Sequence, residues 1–417
     1  MTISIFGCSK PENNVNPSNP PSSSQIAEKK EVETIWSKYY GGNNPDIAFC
    51  SLITADKKIL IAGISENYSP SGNKESTSRG GENCWVIQID GDGKKVFDKS
   101  FDLTSRIEIL DGANLKVLAT ADNGFVLASS TDTRVVLLKI DALGNELWKF
   151  ESDYLSEAFD INLTDISQNA NGDIFILGST GRHDDYGYLP FDVLISLDNN
   201  GVKKWSKTFY GNNSINSKSI YIKGESVYIF SENQKVNFYE DSPIEKNKEP
   251  IEIWLKKVDF TGRLEETIIL FKGAEDNDIS LLGSSISGEN FNIVVGNKNG
   301  STINKVSLQG NIIFKQDFLG TKIITNNTFP LINNSIIITG FTNEEKSNIW
   351  IYGADSNYKI KWAKSYGGNE IDRLINILEK DGFIYLIVKS NSFPITGNKM
   401  AGYFENYDYG VIKIKIL

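Results

Sequence analysis

The chain has 417 residues, 40% hydrophobic and 23% charged, a balance that suits a protein with a buried core and excludes wholesale disorder. Its net charge is −10 and its Lys and Arg residues are scattered, so it lacks the concentrated basic face that nucleic-acid phosphates require. Aromatics reach 11%, with 35 Gly against 11 Pro, which favours strands and turns over helices.

At the N-terminus, Ile3-Ser4-Ile5-Phe6-Gly7-Cys8 reads as the end of a lipoprotein signal peptide: an apolar run, a small residue, then the cysteine that takes the acyl chain (palmitate or a similar lipid). The basic start and most of the apolar core are absent, so Met1 is read as an internal methionine of a longer frame. Residues 1–8 are therefore a signal-peptide remnant, and Cys8 is the expected lipidation site. A lone thiol on an exposed tail is otherwise a liability outside the cytosol. Residues 9–33 are Pro/Ser/Asn-rich with little to bury, and are expected to be a disordered tether. The expected location is the bacterial cell envelope, at the outer membrane, held through the lipid alone. Ser9-Lys10-Pro11-Glu12 leaves both the surface and the periplasmic side open.

From residue 34 onward the chain repeats. Thr34-Ile35-Trp36-Ser37-Lys38-Tyr39-Tyr40-Gly41-Gly42 is a strand with an aromatic and a Gly-Gly turn. Next comes a frame of apolar strand, turn and aromatic strand, clearest at Val135 to Trp148, where Asp141-Ala142-Leu143-Gly144 makes the turn. The turn residue recurs at Asp90, Asp141, Asp198, Asp259, Ser307 and Asp355, between 48 and 61 residues apart. Phe97, Trp148, Trp205, Phe314 and Trp362 follow it at a constant distance, and Glu266 takes that place in the fourth copy. Each frame is preceded by two more strand-like runs, such as Asp160 to Gln168 and Asp173 to Ser179. Four short strands per unit of this length is the arithmetic of a propeller blade. Blades packed face to face bury their inner strands on both sides, which accounts for continuous apolar runs such as Val135 to Leu138.

A seventh unit starts at Asn369 and ends at Gly410 to Leu417, before any aromatic fourth strand. The missing strand is Thr34 to Gly42, which matches Ile360 to Gly368 closely. The expected fold is therefore all-β: a seven-bladed β-propeller of four-stranded blades over residues 34–417, its N-terminal strand closing the last blade.

Candidate sites are each weighed against a structural role. Asp90-Gly91-Asp92-Gly93 with Asp98 could wrap a calcium ion, but the same turn carries Ala142-Leu143 and Asn199-Asn200 in other copies, so a turn-forming role is favoured. His183, the only histidine, lies beside Asp184 and Asp185 in what reads as a solvated loop from Gly181 to Gly187. With one His and no Cys-x-x-Cys, a zinc site of the N/S kind is not expected, and no catalytic residue, metal or cofactor is assigned. Cys50 and Cys84 fall on the first and third strands of one blade, about 10 Å apart at ~4.8 Å per strand. That is too far for a disulfide. The seven tryptophans recur at two positions of the repeat and are read as packing between blades.

The repeat is least regular between second and third strands: Glu66 to Asn83, Gly181 to Phe191, Glu232 to Pro250 and Asn391 to Asp408. Propeller geometry puts these loops on one face, gathering Tyr68, Tyr186, Tyr188, Phe238, Tyr239, Phe393, Tyr403, Phe404 and Tyr407 among Asp and Glu. Exposed aromatics on rigidly mounted loops suit a binding face for protein or glycan. Loops packed on themselves, with no ligand, are the even-weighted alternative.

The Trp-x-Lys-x-aromatic-Gly-Gly pattern, with an Asp a few residues on and an apolar strand ending in Gly, resembles bacterial β-propeller repeats of the SBBP type. Ser392-Phe393-Pro394-Ile395-Thr396-Gly397 followed by Asp408-Tyr409-Gly410-Val411-Ile412-Lys413 carries that resemblance, which covers residues 34–417 and implies a surface or secreted protein of Bacteroidetes-like bacteria. Leu143-Gly144-Asn145-Glu146-Leu147-Trp148 also fits the repeat of quinoprotein propellers. Two functions follow. The first is a monomeric, non-catalytic envelope lipoprotein that binds an unidentified envelope protein or glycan through its long-loop face. The alternative is a propeller enzyme, a glycan-active hydrolase or lyase or a quinone-dependent dehydrogenase, with its site in the central channel.

Overall fold

A computed structural model describes residues 32–67, 69–77, 83–103, 115–130, 134–152, 161–184, 187–209, 213–237, 247–274, 278–319, 323–331, 335–342, 348–367, 372–390 and 407–417. These residues are organised as antiparallel sheets, one per blade, in a closed ring of seven. Blade 1 runs Asp46–Ile53, Ile59–Ser65, Asn83–Ile89 and Lys95–Phe101, each strand bonded to the next. Blades 2 to 6 repeat this order, beginning at Lys116, Asn162, Asn213, Ile279 and Ile323. Blade 4 carries an extra pairing of Asn247–Lys248 with its second strand.

Blade 7 is assembled from both ends of the chain. Asp372–Lys380, Phe383–Ser390 and Asp408–Ile416 supply three strands, and Val32–Tyr40 supplies the fourth. Its register pairs Val32 with Ile416, Trp36 with Lys413 and Tyr40 with Tyr409. Trp362 pairs with Gly353 at the corresponding place in blade 6, so the equivalence of the two tryptophans holds. The closing strand begins at Val32, two residues before the sequence pattern starts.

Packing follows from the period of two along each strand. In blade 1, Ile59 and Ile61 face blade 7, together with Tyr385 and Val411. Leu60 and Ala62 face blade 2, together with Leu127 and Leu138. The same alternation gives one apolar cluster at each of the seven blade interfaces. A strand buried on both faces has no polar side, which is why its sequence reads as an unbroken apolar run.

Two devices fix neighbouring blades to one another. Each Asp-x-x-Gly turn is closed by its first residue: Asp90 Oδ1 accepts the amides of Asp92 and Lys94, both at 2.9 Å, and Asp141, Asp198, Asp259, Ser307 and Asp355 do the same in their copies. The turn then rests on the fourth strand of the preceding blade. Gly201, at φ +80°, lies against the Trp148 ring, and Gly262 against Trp205 and Lys207. Gly93 meets Trp36 and Lys38 in the same way, and the Tyr40 hydroxyl donates to the Gly93 carbonyl at 2.7 Å. The Trp-x-Lys-x-aromatic pattern is thus a cradle for the next blade's turn. Trp362 departs from it, lying over Gly353 of its own sheet and facing blade 7, which has no such turn to cradle.

Candidate binding face and central channel

Most of the proposed aromatic face lies outside the described residues: Tyr68, Tyr186, Phe238, Tyr239, Phe393, Tyr403 and Phe404, and with them Cys8. Tyr188 is described by its backbone alone. Its surroundings correct the sequence reading, because residues 181–184 and 187–191 are strand and not loop. The second and third strands of blade 3 extend as Ile174–Asp184 and Gly187–Leu197, pairing Thr180 with Phe191 and His183 with Tyr188. His183 therefore sits on a long hairpin arm. The loop reading failed because Gly181 and Gly187 look like punctuation, although alternating register tolerates both. Likewise, the second strand of blade 4 continues to Asn237 instead of ending before Glu232.

Tyr407 is the one aromatic of the nine whose side chain is described. It is half-buried, the Lys389 ammonium stands 4.3 Å from its ring centroid, and its carbonyl accepts the Asp46 amide at 2.7 Å. That places it at the seam between blades 7 and 1.

The connection after Glu66 is also not an open loop in its described part. Asn73 grips the end of the closing strand with three bonds, each 2.9 Å: its Oδ1 accepts the Gly41 amide, its Nδ2 donates to the Tyr39 carbonyl, and its own amide donates to the Gly41 carbonyl. Asn67 Oδ1 accepts the Asn44 amide at 2.9 Å, and Ser71 Oγ accepts that of Asn43 at 3.1 Å. Asp98 anchors the far side, accepting the amides of Glu75 and Ser76, the Trp85 indole and the Lys95 ammonium. Those donors hold the Asp98 carboxyl below the usual range despite its burial. Asp98 is thus turned to this segment, and Asp90 to its own turn, so the two do not form a calcium loop. Among the described residues no three His, Cys, Asp or Glu side chains gather as metal ligands.

At the centre, first strands of neighbouring blades pack side by side around the axis. Six of the seven carry a β-bulge near their start. The register then places Cys50, Lys116, Asp165, Ser219, Gly283, Asn327 and Asn376 at one level, one per blade. Several of these reach the next blade. Asn376 Nδ2 donates to the Ser51 carbonyl and hydroxyl at 3.0 and 3.1 Å, Asp165 Oδ2 accepts the Ile220 amide at 3.1 Å, and the Ser219 and Ser284 hydroxyls meet at 2.6 Å. The Tyr221 hydroxyl also donates to Ser284 Oγ at 2.9 Å. Burial pushes the Asp165 carboxyl up, and the charge of Lys116 opposes that rise. The ionisable groups at this level are one amine, one carboxyl and one thiol, not a pair of carboxylates.

Cys50 and Cys84 are both free, on the first and third strands as expected. Burial pushes the Cys50 thiol up to about 12 and Cys84 well above its ordinary value. Sequence reasoning missed the clamp on the closing strand and the bulge-level ring. The spacing Gly-Gly-x-x-x-Asp, shared by Gly41 to Asp46 and Gly367 to Asp372, was the available signal for the first.

No protein-family model matches the sequence, and no curated protein does. Solved structures match by fold. A puromycin hydrolase mutant matches at TM-score 0.54 and 10% identity, over 84% of this chain and 51% of that one, so the chain spans about half the length of that protein. A structure from an analysis of two prolyl endopeptidases matches at TM-score 0.49 and 8% identity, over 90% and 51%. A protein of unknown function from Dyadobacter fermentans matches at TM-score 0.46 and 9% identity, over 93% and 100%. At these identities the likeness is one of fold, and the chain is a seven-bladed β-propeller.

Proposed function

We propose that the chain is a non-catalytic binding propeller of the bacterial envelope, tethered by an acyl chain on Cys8 and presenting its long-connection face to a protein or glycan partner as a monomer. The observation that supports it most is at the channel: three of the polar side chains at the bulge level, Asp165, Ser219 and Asn376, are each taken up by a bond to the next blade, at Ile220, Ser284 and Ser51. A catalytic centre needs acid, base or nucleophile aimed at one reacting atom. The long connections of blades 1 and 7, and of blades 3 and 4, fall in adjacent pairs. Such pairs broaden a contact area on one face. The SBBP-type pattern adds the expectation of a surface or secreted protein.

Two experiments test this. Purified residues 25–417 are assayed for glycan hydrolase or lyase and quinone-dependent dehydrogenase activity; turnover abolished by Asp165→Asn would establish the enzyme reading instead. In a native host with the upstream frame restored, a fatty-acid analogue should label wild type and not Cys8→Ser. Equal labelling, or none in either, removes the anchor.

A further inference from the structure

Asp46 opens the first strand of blade 1 and is fully buried. Its Oδ2 accepts the Gly42 amide at 2.6 Å and Asn67 Nδ2 at 3.0 Å, joining the closing strand to the segment that clamps it. Against the same face of Gly41 stands the Asp408 carboxylate, also fully buried. A methyl placed on Gly41 would collide with both, so the two carboxylates share one backbone position. The cation facing Asp46 is Lys74, buried in the same segment, whose ammonium is also held by the carbonyls of Asn67 and Ser76. Tyr409 packs in from blade 7, and Asp98 and Lys95 lie beyond Lys74.

We propose that this seam is a pH-responsive latch, in which mild acid fastens Asn67, Ser71 and Asn73 over the closing strand and ionisation of Asp46 loosens them. An ionised Asp46 is a dehydrated anion, and opening the latch returns it to water. The protonated form carries no such penalty. Burial pushes the Asp46 carboxyl up to about 6, against the pull of the Ser65 hydroxyl, the Gly42 amide, Asn67 and Lys74. A carboxyl raised in the folded state favours that state fully below its unfolded value, about 4, and loses the contribution as pH rises through the folded one. Opening therefore becomes easier from about pH 4 to beyond pH 6, opposite in sign to an ordinary salt-bridged aspartate.

The test is hydrogen exchange on the full chain at pH 5 and pH 7.5, corrected for the intrinsic pH dependence, in wild type and Asp46→Asn. Protection of peptides covering residues 39–44 and 69–77 should fall about tenfold in wild type between the two pH values. In Asp46→Asn it should not change. Unchanged protection in wild type, or an equal fall in the variant, overturns the proposal. Should Asp46→Asn not fold, titration of the wild-type side-chain carboxyl carbons decides: a midpoint near 6 for Asp46 supports the latch, and one at or below 4 overturns it.

Discussion

Tyr358 takes the turn position that glycine fills in five other blades, at φ +60°, and its ring lies stacked on Phe314 of the preceding blade with centroids 4.9 Å apart. Its hydroxyl donates to Asn292 Oδ1 at 2.7 Å. A non-glycine residue in the left-handed region costs roughly 1–2 kcal/mol, so the contacts of the ring must outweigh that cost. Where other blades rest a bare glycine on a tryptophan, blade 6 fills the gap with a second aromatic. Tyr358→Gly should relieve the backbone and still destabilise the protein. A double-mutant cycle of Tyr358→Gly and Phe314→Leu by urea unfolding should give a coupling of about 0.5–1.5 kcal/mol. Additive effects would show that the stack contributes nothing beyond area.

Blades 3 and 4 are joined by a buried ion pair, Lys256 Nζ to Asp192 Oδ2 at 2.5 Å, with side chains 3% and 0% exposed. Removing one partner strands the other charge away from water. Lys256→Met should cost about 3–5 kcal/mol, and the double variant Asp192→Leu, Lys256→Met should recover most of it. Urea midpoints of the three proteins check this, and a double variant no better than the single would show that the pair stabilises in its own right.

The blade pattern was legible because it is local: a strand, an Asp-x-x-Gly turn and an aromatic all lie within fifteen residues or so. Ring closure was legible for the same reason, since Thr34 to Gly42 copies Ile360 to Gly368. The clamp was not. Asn73 bonds to Tyr39 and Gly41, more than thirty positions away, and Asn, Ser and Gly in sequence look like any solvated connection. The bulge-level ring was hidden too, because one inserted residue such as Phe49 or Thr164 changes which side chains face the next blade, and a bulge has no fixed residue signature. Of the aromatic face, Tyr407 alone can be placed by its side chain, and it stands at the ring seam.

The two thiols in the ring offer a probe of its integrity. Only the thiolate alkylates, and burial raises both Cys50 and Cys84, Cys50 to about 12. Residues 25–417, which lack Cys8, should therefore show no modification by iodoacetamide at pH 8 until denaturant is added, and then two. Cys50 is half-buried at the channel, so rapid modification there in folded protein would mean that reagent reaches it along the channel.

The closing strand gives the test on which the architecture depends. Val32–Tyr40 pairs along its length with Asp408–Ile416, and it also supports blade 1. Lys38 donates to the Asp92 carbonyl at 2.5 Å, Tyr40 to that of Gly93 at 2.7 Å, and Trp36 meets the Tyr385 ring edge-on at 6.0 Å. Removing the strand would expose the edge of the third strand and uncover the apolar cluster between blades 7 and 1. Trp36 is half-buried, so Trp36→Ala should cost somewhat less than the about 3–5 kcal/mol of a fully buried tryptophan. Deletion through Gly42 should cost far more and remove cooperative unfolding, since it also takes away the backbone partners of Asn73. Deletion of residues 9–30, which precede the strand, should leave the unfolding midpoint unchanged. Calorimetry on the three variants ranks them, and an unshifted transition after deletion through Gly42 would mean that the ring stays closed without its N-terminal strand.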